Sequence, residues 1–203
     1  MSSTALVPSL VRPSNRVLAA AADVVLVAIG VALIGASAQF SFHLPHTPVP
    51  VTGQTFAVLL VGGAYGASRG FATMAAYLVV GGLGFGVFAG HSSGWDVLRF
   101  SSATGGYLVG MLVAATVVGW LADHGWDRRV SRSIPAMLLG NVIIYAFGAT
   151  WLAHALHLTA QQAWDLGVKD FIPGDVVKIL LAAGLLPAAW WVVDKVWAVF
   201  RRD

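Results

Sequence analysis

Between Val17 and Phe40 the only formally charged residue is Asp23, and comparable apolar runs recur at Phe56 to Ala67, Phe71 to Phe88, Gly105 to Ala122, Ile134 to Leu156 and Val176 to about Phe200. A spanning helix needs roughly 20 mostly apolar residues, and a short or tilted one fewer. A chain built this way belongs in a bilayer: of its 203 residues 58% are hydrophobic and only 10% charged, far from the balance of a water-soluble domain. The connections leave no room for a separate soluble domain of ~100 residues. The pattern therefore predicts an all-α integral membrane protein. It is one domain over 1–203, with a cytoplasmic arm of about 1–16 and six transmembrane helices over 17–200. Ser68-Arg69-Gly70 makes the tight connection between the second and third spans, and Pro187 is expected to kink the sixth.

Lys and Arg collect on the cytoplasmic side of a membrane protein. Arg12 and Arg16, Arg69, Arg128, Arg129 and Arg132, and Lys195, Arg201 and Arg202 fall in alternate connections, against only Arg99, Lys169 and Lys178 on the other side. Both termini are thus expected to be cytoplasmic. Ser41 to Thr55, Ala89 to Thr104 and His157 to Asp175 become extracytoplasmic loops able to converge over one face. Arg12 and Arg16 ahead of an apolar run ending near Ala36-Ser37-Ala38 imitate a signal peptide. Asp23 and the length of the run favour a retained first span.

Several chemistries are excluded or disfavoured. The chain has no cysteine, so disulfides and thiolate sites are ruled out. The basic residues are scattered among loops rather than gathered with aromatics, which argues against nucleic acid. His43 and His46, and His154 and His157, lack a carboxylate at metal-ligand spacing, so no metal site is expected. No catalytic constellation and no phosphate-binding lysine motif is present; the glycines of Gly81 to Gly90 end a membrane helix instead of opening one.

What remains is a small set of polar residues at helix ends. Thr52, Gln54 and Thr55 stand where the second helix enters the membrane, the hydroxyls as caps and Gln54 as a donor and acceptor for a small polar ligand. Phe85 and Phe88 offer an aromatic wall. Thr104-Gly105-Gly106-Tyr107 opens the fourth helix, with Arg99 just upstream. Asn141 and Tyr145 share a face of the fifth helix. Asp175 and Lys178 share one at the start of the sixth, in a chain with no glutamate. Asp175 is explicable as a cap after Pro173-Gly174, but a lysine near a helix N-terminus opposes the helix dipole. An ionisable group at membrane depth costs ~2.5 kcal/mol or more unless compensated. Ala28, Ala32 and Ala36 form a small-residue stripe that permits close helix approach.

In the order V-P-V-T-G-Q-T, G-G-L-G-F-G-V-F-A-G, A-T-G-G-Y-L-V-G, G-N-V-I-I-Y and F-I-P-G-D-V-V-K-I-L, the chain resembles the BioY family, the biotin-binding S components of energy-coupling factor transporters. The likeness covers about Val17 to Val193. It departs from the family at His91-Ser92-Ser93-Gly94-Trp95-Asp96 and at Ser102-Ala103, a difference that bears on the shape of that loop and on Arg99.

The resemblance implies a six-helix S-component fold in a bacterial or archaeal cell membrane. It implies biotin held near the extracytoplasmic side by Asp175, Lys178, Asn141, Tyr145, Gln54, Thr52, Phe88, Tyr107 and Arg99. It also implies Ala28, Ala32 and Ala36 against a transmembrane coupling protein, and ATP hydrolysis in two partner ATPase subunits, with no cofactor and no catalytic residue in this chain. An S component for another vitamin, a self-sufficient secondary transporter and an intramembrane enzyme acting on a lipid are the competing readings.

Overall fold

The computed structural model describes residues 5–10 and 15–200; Arg12, Arg201 and Arg202 lie outside the described residues. Among the described residues eight α-helices follow in order: α1 (Leu6–Leu10), α2 (Arg16–Gln39), α3 (Gln54–Tyr65), α4 (Ala67–Gly82), α5 (Gly105–Asp123), α6 (Val130–Ala155), α7 (Ala160–Gly167) and α8 (Ile172–Phe200). A two-residue hairpin, Ser41–Phe42 against Val51–Thr52, closes the loop between α2 and α3. Among the described residues four stretches are long and apolar enough to cross a membrane: α2, α5, α6, and the segment Ala160–Lys195 that contains most of α8.

The core forms around α5, which packs against α3, α4 and α6. In their most apolar stretches α5 is 67% buried and α2 only 11%. Since both are apolar all round, this difference separates a helix enclosed by protein from one whose surface needs lipid or another protein. Arg69 at the start of α4 grips Asp23 of α2, with Nη2 2.6 Å from Oδ1. The lone charge in the first apolar run is therefore paired.

The α3–α4 junction differs from the sequence expectation. The break falls at Gly66, which sits at φ +82°, and Ser68-Arg69-Gly70 lies inside α4. Glycine alone adopts that backbone without strain. Its surroundings fix it there: the Gly66 N–H returns to the Gly62 carbonyl, and the next amide, Ala67, donates to Asp123 Oδ2 at 3.0 Å. The same carboxylate accepts the Ala5 amide through Oδ1. Around Ala5 the N-terminal arm is packed down, with α1 against α3 and α8.

With 12 residues, α3 rises only ~18 Å, short of the ~30 Å hydrocarbon core. The third span also ends early, at Gly82 rather than Phe88, and the chain passes through irregular backbone with short 3₁₀ turns at Ala89–His91 and Trp95–Leu98. Phe85 is left 63% exposed, while Phe88 folds inward to 1%. No wall joins the two. The amphipathic helix α7, held by a Thr159–Gln162 capping box, occupies a stretch expected to be loop. α8 runs on through Pro187.

Candidate functional site

The three long connections meet at one end of the bundle over a cavity of about 290 Å³. The first supplies His43, Pro48 to Pro50 and Thr52, the second Phe88, Ala89, Ser92 and Val97, and the third Phe171. Helix residues complete it: Gln54 and Thr55 of α3, Tyr107, Leu108 and Met111 of α5, Ile144 and Tyr145 of α6, and Asp175 and Lys178 of α8. Mostly apolar walls with a few placed polar groups are the usual make-up of a small-molecule site.

Helix α8 begins at Ile172, so Asp175 is its fourth residue and no N-cap. The capping explanation fails for it; the carboxylate turns inward and is 4% exposed. Oδ1 accepts from Lys178 Nζ at 2.8 Å and from the Thr55 hydroxyl at 3.3 Å, and Oδ2 accepts from the Tyr145 hydroxyl at 2.6 Å. Lys178 spends its other two donors on the Thr52 carbonyl at 2.6 Å and Thr55 Oγ1 at 3.2 Å. A lysine one turn into a helix, awkward against the dipole, is thus held by a carboxylate and by the backbone of the first loop. The network is fully hydrogen-bonded, the condition under which a charge pair tolerates a dry environment.

Thr52 does two jobs. Its hydroxyl accepts the Gln54 amide at 3.2 Å, capping α3, while its carbonyl receives Lys178. Gln54 is 3% exposed and donates through Nε2 to the Tyr77 hydroxyl at 2.7 Å, which donates in turn to the Val87 carbonyl at 2.8 Å. That relay fixes the irregular segment leading to Phe88, whose ring meets Tyr77 edge to face at 5.4 Å. On the opposite wall the Tyr107 hydroxyl donates to the Gly167 carbonyl at 2.8 Å and ties α5 to the end of α7. Its ring faces the cavity, and its polar tip is already used.

Seven of the residues singled out in the sequence therefore surround one space: Asp175, Lys178, Tyr145, Gln54, Thr52, Phe88 and Tyr107. Two do not. Arg99 points to the surface and pairs with Asp96 at 2.9 Å, its side chain 72% exposed. Asn141 is 6% exposed but lies behind the wall, on a separate lateral cavity between α6, α7 and α8, with no hydrogen-bond partner for Oδ1 among the described residues. Thr55 was noticed only as a possible cap; its bridging position depends on α8 lying alongside, which no local signal reveals. His46 and Thr47 close the roof. His46 Nε2 meets Asp170 Oδ2 at 2.5 Å, and the Thr47 hydroxyl donates to the Leu166 carbonyl at 2.5 Å, joining the first loop to the third.

Ala28, Ala32 and Ala36 line a shallow exposed groove that α2 forms with Ala76 and Val80 of α4. Among the described residues no cluster of three potential metal ligands occurs.

Spanning helices around a largely apolar, loop-covered cavity define an integral membrane protein with a small-molecule-sized site near one membrane face. The BioY family model matches residues 10–195, and the chain belongs to the BioY family. The biotin transporter BioY of Rhizobium etli is 37% identical over 169 residues, covering 79% of this chain and 89% of that protein. A probable biotin transporter BioY of Pyrococcus horikoshii is 36% identical over 162 residues, 80% of this chain and 92% of that one. The crystal structure of an S-component for biotin from an ECF-type ABC transporter matches with a TM-score of 0.76, covering 88% of this chain and 94% of its own. At 21% identity that likeness concerns the fold.

Proposed function

We propose that this protein is the substrate-capture S component for biotin in an ECF-type uptake system. The observation that carries the reading is the Asp175–Lys178 pair, buried beneath three converging loops in a chain of the BioY family. Biotin presents two ureido N–H donors, one ureido carbonyl, an apolar fused ring and a carboxylate tail. Asp175 is suited to accept a ureido N–H as a charge-assisted bond. Lys178 is suited to serve the ureido oxygen or the tail carboxylate, and Phe88, Tyr107 and Tyr145 to enclose the rings. Gln54 and Thr52 hold the entrance to α3. Asn141 contributes from behind, through Tyr145.

The six-helix arrangement counts α2, α3, α4, α5, α6 and α8 as membrane helices. Arg16, Arg69, Arg128, Arg129, Arg132 and Lys195 stand away from the cavity, and Arg99, Lys169 and Lys178 near it. That bias supports cytoplasmic termini and an extracytoplasmic cavity in a bacterial or archaeal cell membrane. The exposed Ala28, Ala32 and Ala36 suit close approach by a transmembrane coupling protein. ATP hydrolysis then falls to two partner subunits, and this chain needs no cofactor of its own.

Equilibrium binding of labelled biotin to the purified, folded protein tests the reading. Saturable binding competed by unlabelled biotin is expected. No saturable biotin binding, with another vitamin retained, would replace biotin by that vitamin.

A further inference from the structure

At the end of the bundle opposite the cavity, the turn from α5 into α6 forms a concavity of about 280 Å³ lined by His124, Gly125, Arg128, Arg129 and Arg132. α5 is 19 residues long, so this turn lies ~28 Å along the helix from the cavity end. Among the described residues no carboxylate stands within ion-pair distance of any of these three arginines. Arg128 instead lays its guanidinium over the Trp190 ring, 4.4 Å from the centroid, which fixes it at the rim. Arg129 and Arg132 are exposed and uncompensated.

The position of this turn decides what anion suits it. Trp120, one turn earlier on α5, is 55% exposed and packs against His124, with centroids 4.4 Å apart. Exposed tryptophan at the end of a spanning helix marks the headgroup level of a bilayer. Leu138 and Leu139, two turns further along α6, are each 45% exposed on the apolar surface below. A cup of unpaired arginines at headgroup depth, above a lipid-facing wall, matches an anion that carries acyl chains. Guanidinium forks bind phosphate oxygens in pairs, which a zwitterionic headgroup offsets with its own cation.

We propose that the α5–α6 turn is a binding site for the phosphate of an anionic phospholipid, held by Arg129 and Arg132 with Arg128 at its edge. Basic pockets between membrane helices take lipid headgroups in this way. The site would anchor the cavity-distal end of the bundle in an anionic leaflet.

The test measures binding of short-chain phosphatidylglycerol to the purified protein in detergent, beside short-chain phosphatidylcholine and inorganic phosphate at matched ionic strength. Phosphatidylglycerol is expected to bind more tightly than either. Arg129→Gln/Arg132→Gln should weaken it about thirty-fold, and Arg132→Gln alone about five-fold, at roughly one basic contact each. Biotin binding reports whether each variant is folded and should not change. Undiminished phosphatidylglycerol affinity in the folded variants overturns the proposal. So does equal binding of phosphatidylcholine, which would make the site a general lipid groove. Inorganic phosphate binding as tightly as the lipid would make it a soluble-anion site and overturn it too.

Discussion

The Tyr145 hydroxyl donates to Asp175 Oδ2 at 2.6 Å, so a residue in the middle of α6 holds the carboxylate at the start of α8 in place. The bond is charge-assisted, and removing such a bond costs ~1.5–3 kcal/mol. Tyr145→Phe keeps the ring and loses the donor. Calorimetric titration should show biotin binding at least about tenfold weaker; unchanged affinity would mean that Lys178 and Thr55 orient Asp175 unaided.

Asp175 and Lys178 act as one unit, and their variants should not add. Lys178→Met leaves a 4%-exposed carboxylate without its cation. Breaking a fully buried pair costs ~3–5 kcal/mol, and less where, as here, the lysine side chain is 20% exposed. Lys178→Met should therefore lower the unfolding temperature in detergent clearly, Asp175→Asn less. Asp175→Asn/Lys178→Met should recover most of the stability and none of the biotin affinity. Additive losses of stability would show that the two side chains do not depend on each other.

The roof of the cavity is fastened at two points, His46 to Asp170 and Thr47 to the Leu166 carbonyl. Thr47→Val removes the buried fastening at little change in shape, together with the acceptor of the Val49 amide at 3.2 Å within the same loop. One neutral hydrogen bond of ~1 kcal/mol corresponds to about five-fold in rate, so stopped-flow release of biotin should quicken by about that factor with the association rate little altered. Adding His46→Ala should quicken it further. Release at the wild-type rate in both would place the exit elsewhere, for instance at the lateral cavity.

Gly81 lies where the Phe88 ring lands: a Cβ there would come within 2.2 Å of the Phe88 Cζ. Gly81→Ala must push the ring into the cavity or break its contact with Tyr77. Overpacking of this kind costs ~1–3 kcal/mol. Both thermal stability and biotin affinity should fall, and Phe88→Leu on the same background should restore stability before affinity. A Gly81→Ala variant with wild-type binding would contradict the position assigned to Phe88.

Asp127, in the turn between α5 and α6, is 2% exposed; Oδ2 accepts from Trp190 Nε1 at 2.5 Å and Oδ1 has no partner. Burial pushes its carboxyl above the ordinary carboxylate range, with the Trp190 bond, its own backbone and Arg128 opposing in part. Above the unfolded value of ~3.9 the unfolded chain has released a proton that the native protein still holds. Native stability contributed by this group therefore falls as pH rises through that window. Asp127→Asn keeps an acceptor for Trp190 and removes the titration. Its unfolding temperature should gain on wild type as pH rises from about 4 towards neutrality. Parallel profiles would show that burial does not raise the Asp127 carboxyl above its unfolded value.

Much was legible in the chain because the bilayer reduces folding to a few strong rules. Apolar length set the helices, alternate loop charge suggested their direction, and the rarity of ionisable groups at depth singled out Asp175 and Lys178 before any contact was known. Gln54, Thr52 and Tyr107 were legible because each is polar or aromatic at a helix end, Phe88 as an aromatic in a glycine-rich run, and Tyr145 because it shares a helix face with Asn141. Residues whose role depends on what lies across from them were not. Thr55 looks like a cap until α8 is beside it. Phe85 and Phe88 look equivalent until Gly81 admits one ring and not the other. Arg99 and Asn141 sit at the right height and on the wrong side, since loop path and helix rotation carry no sequence period. The sequence by itself determined a membrane protein with an unusual charge pair in its last helix. Tertiary structure alone decided that the first and third loops join over that pair, because those contacts link segments more than a hundred residues apart.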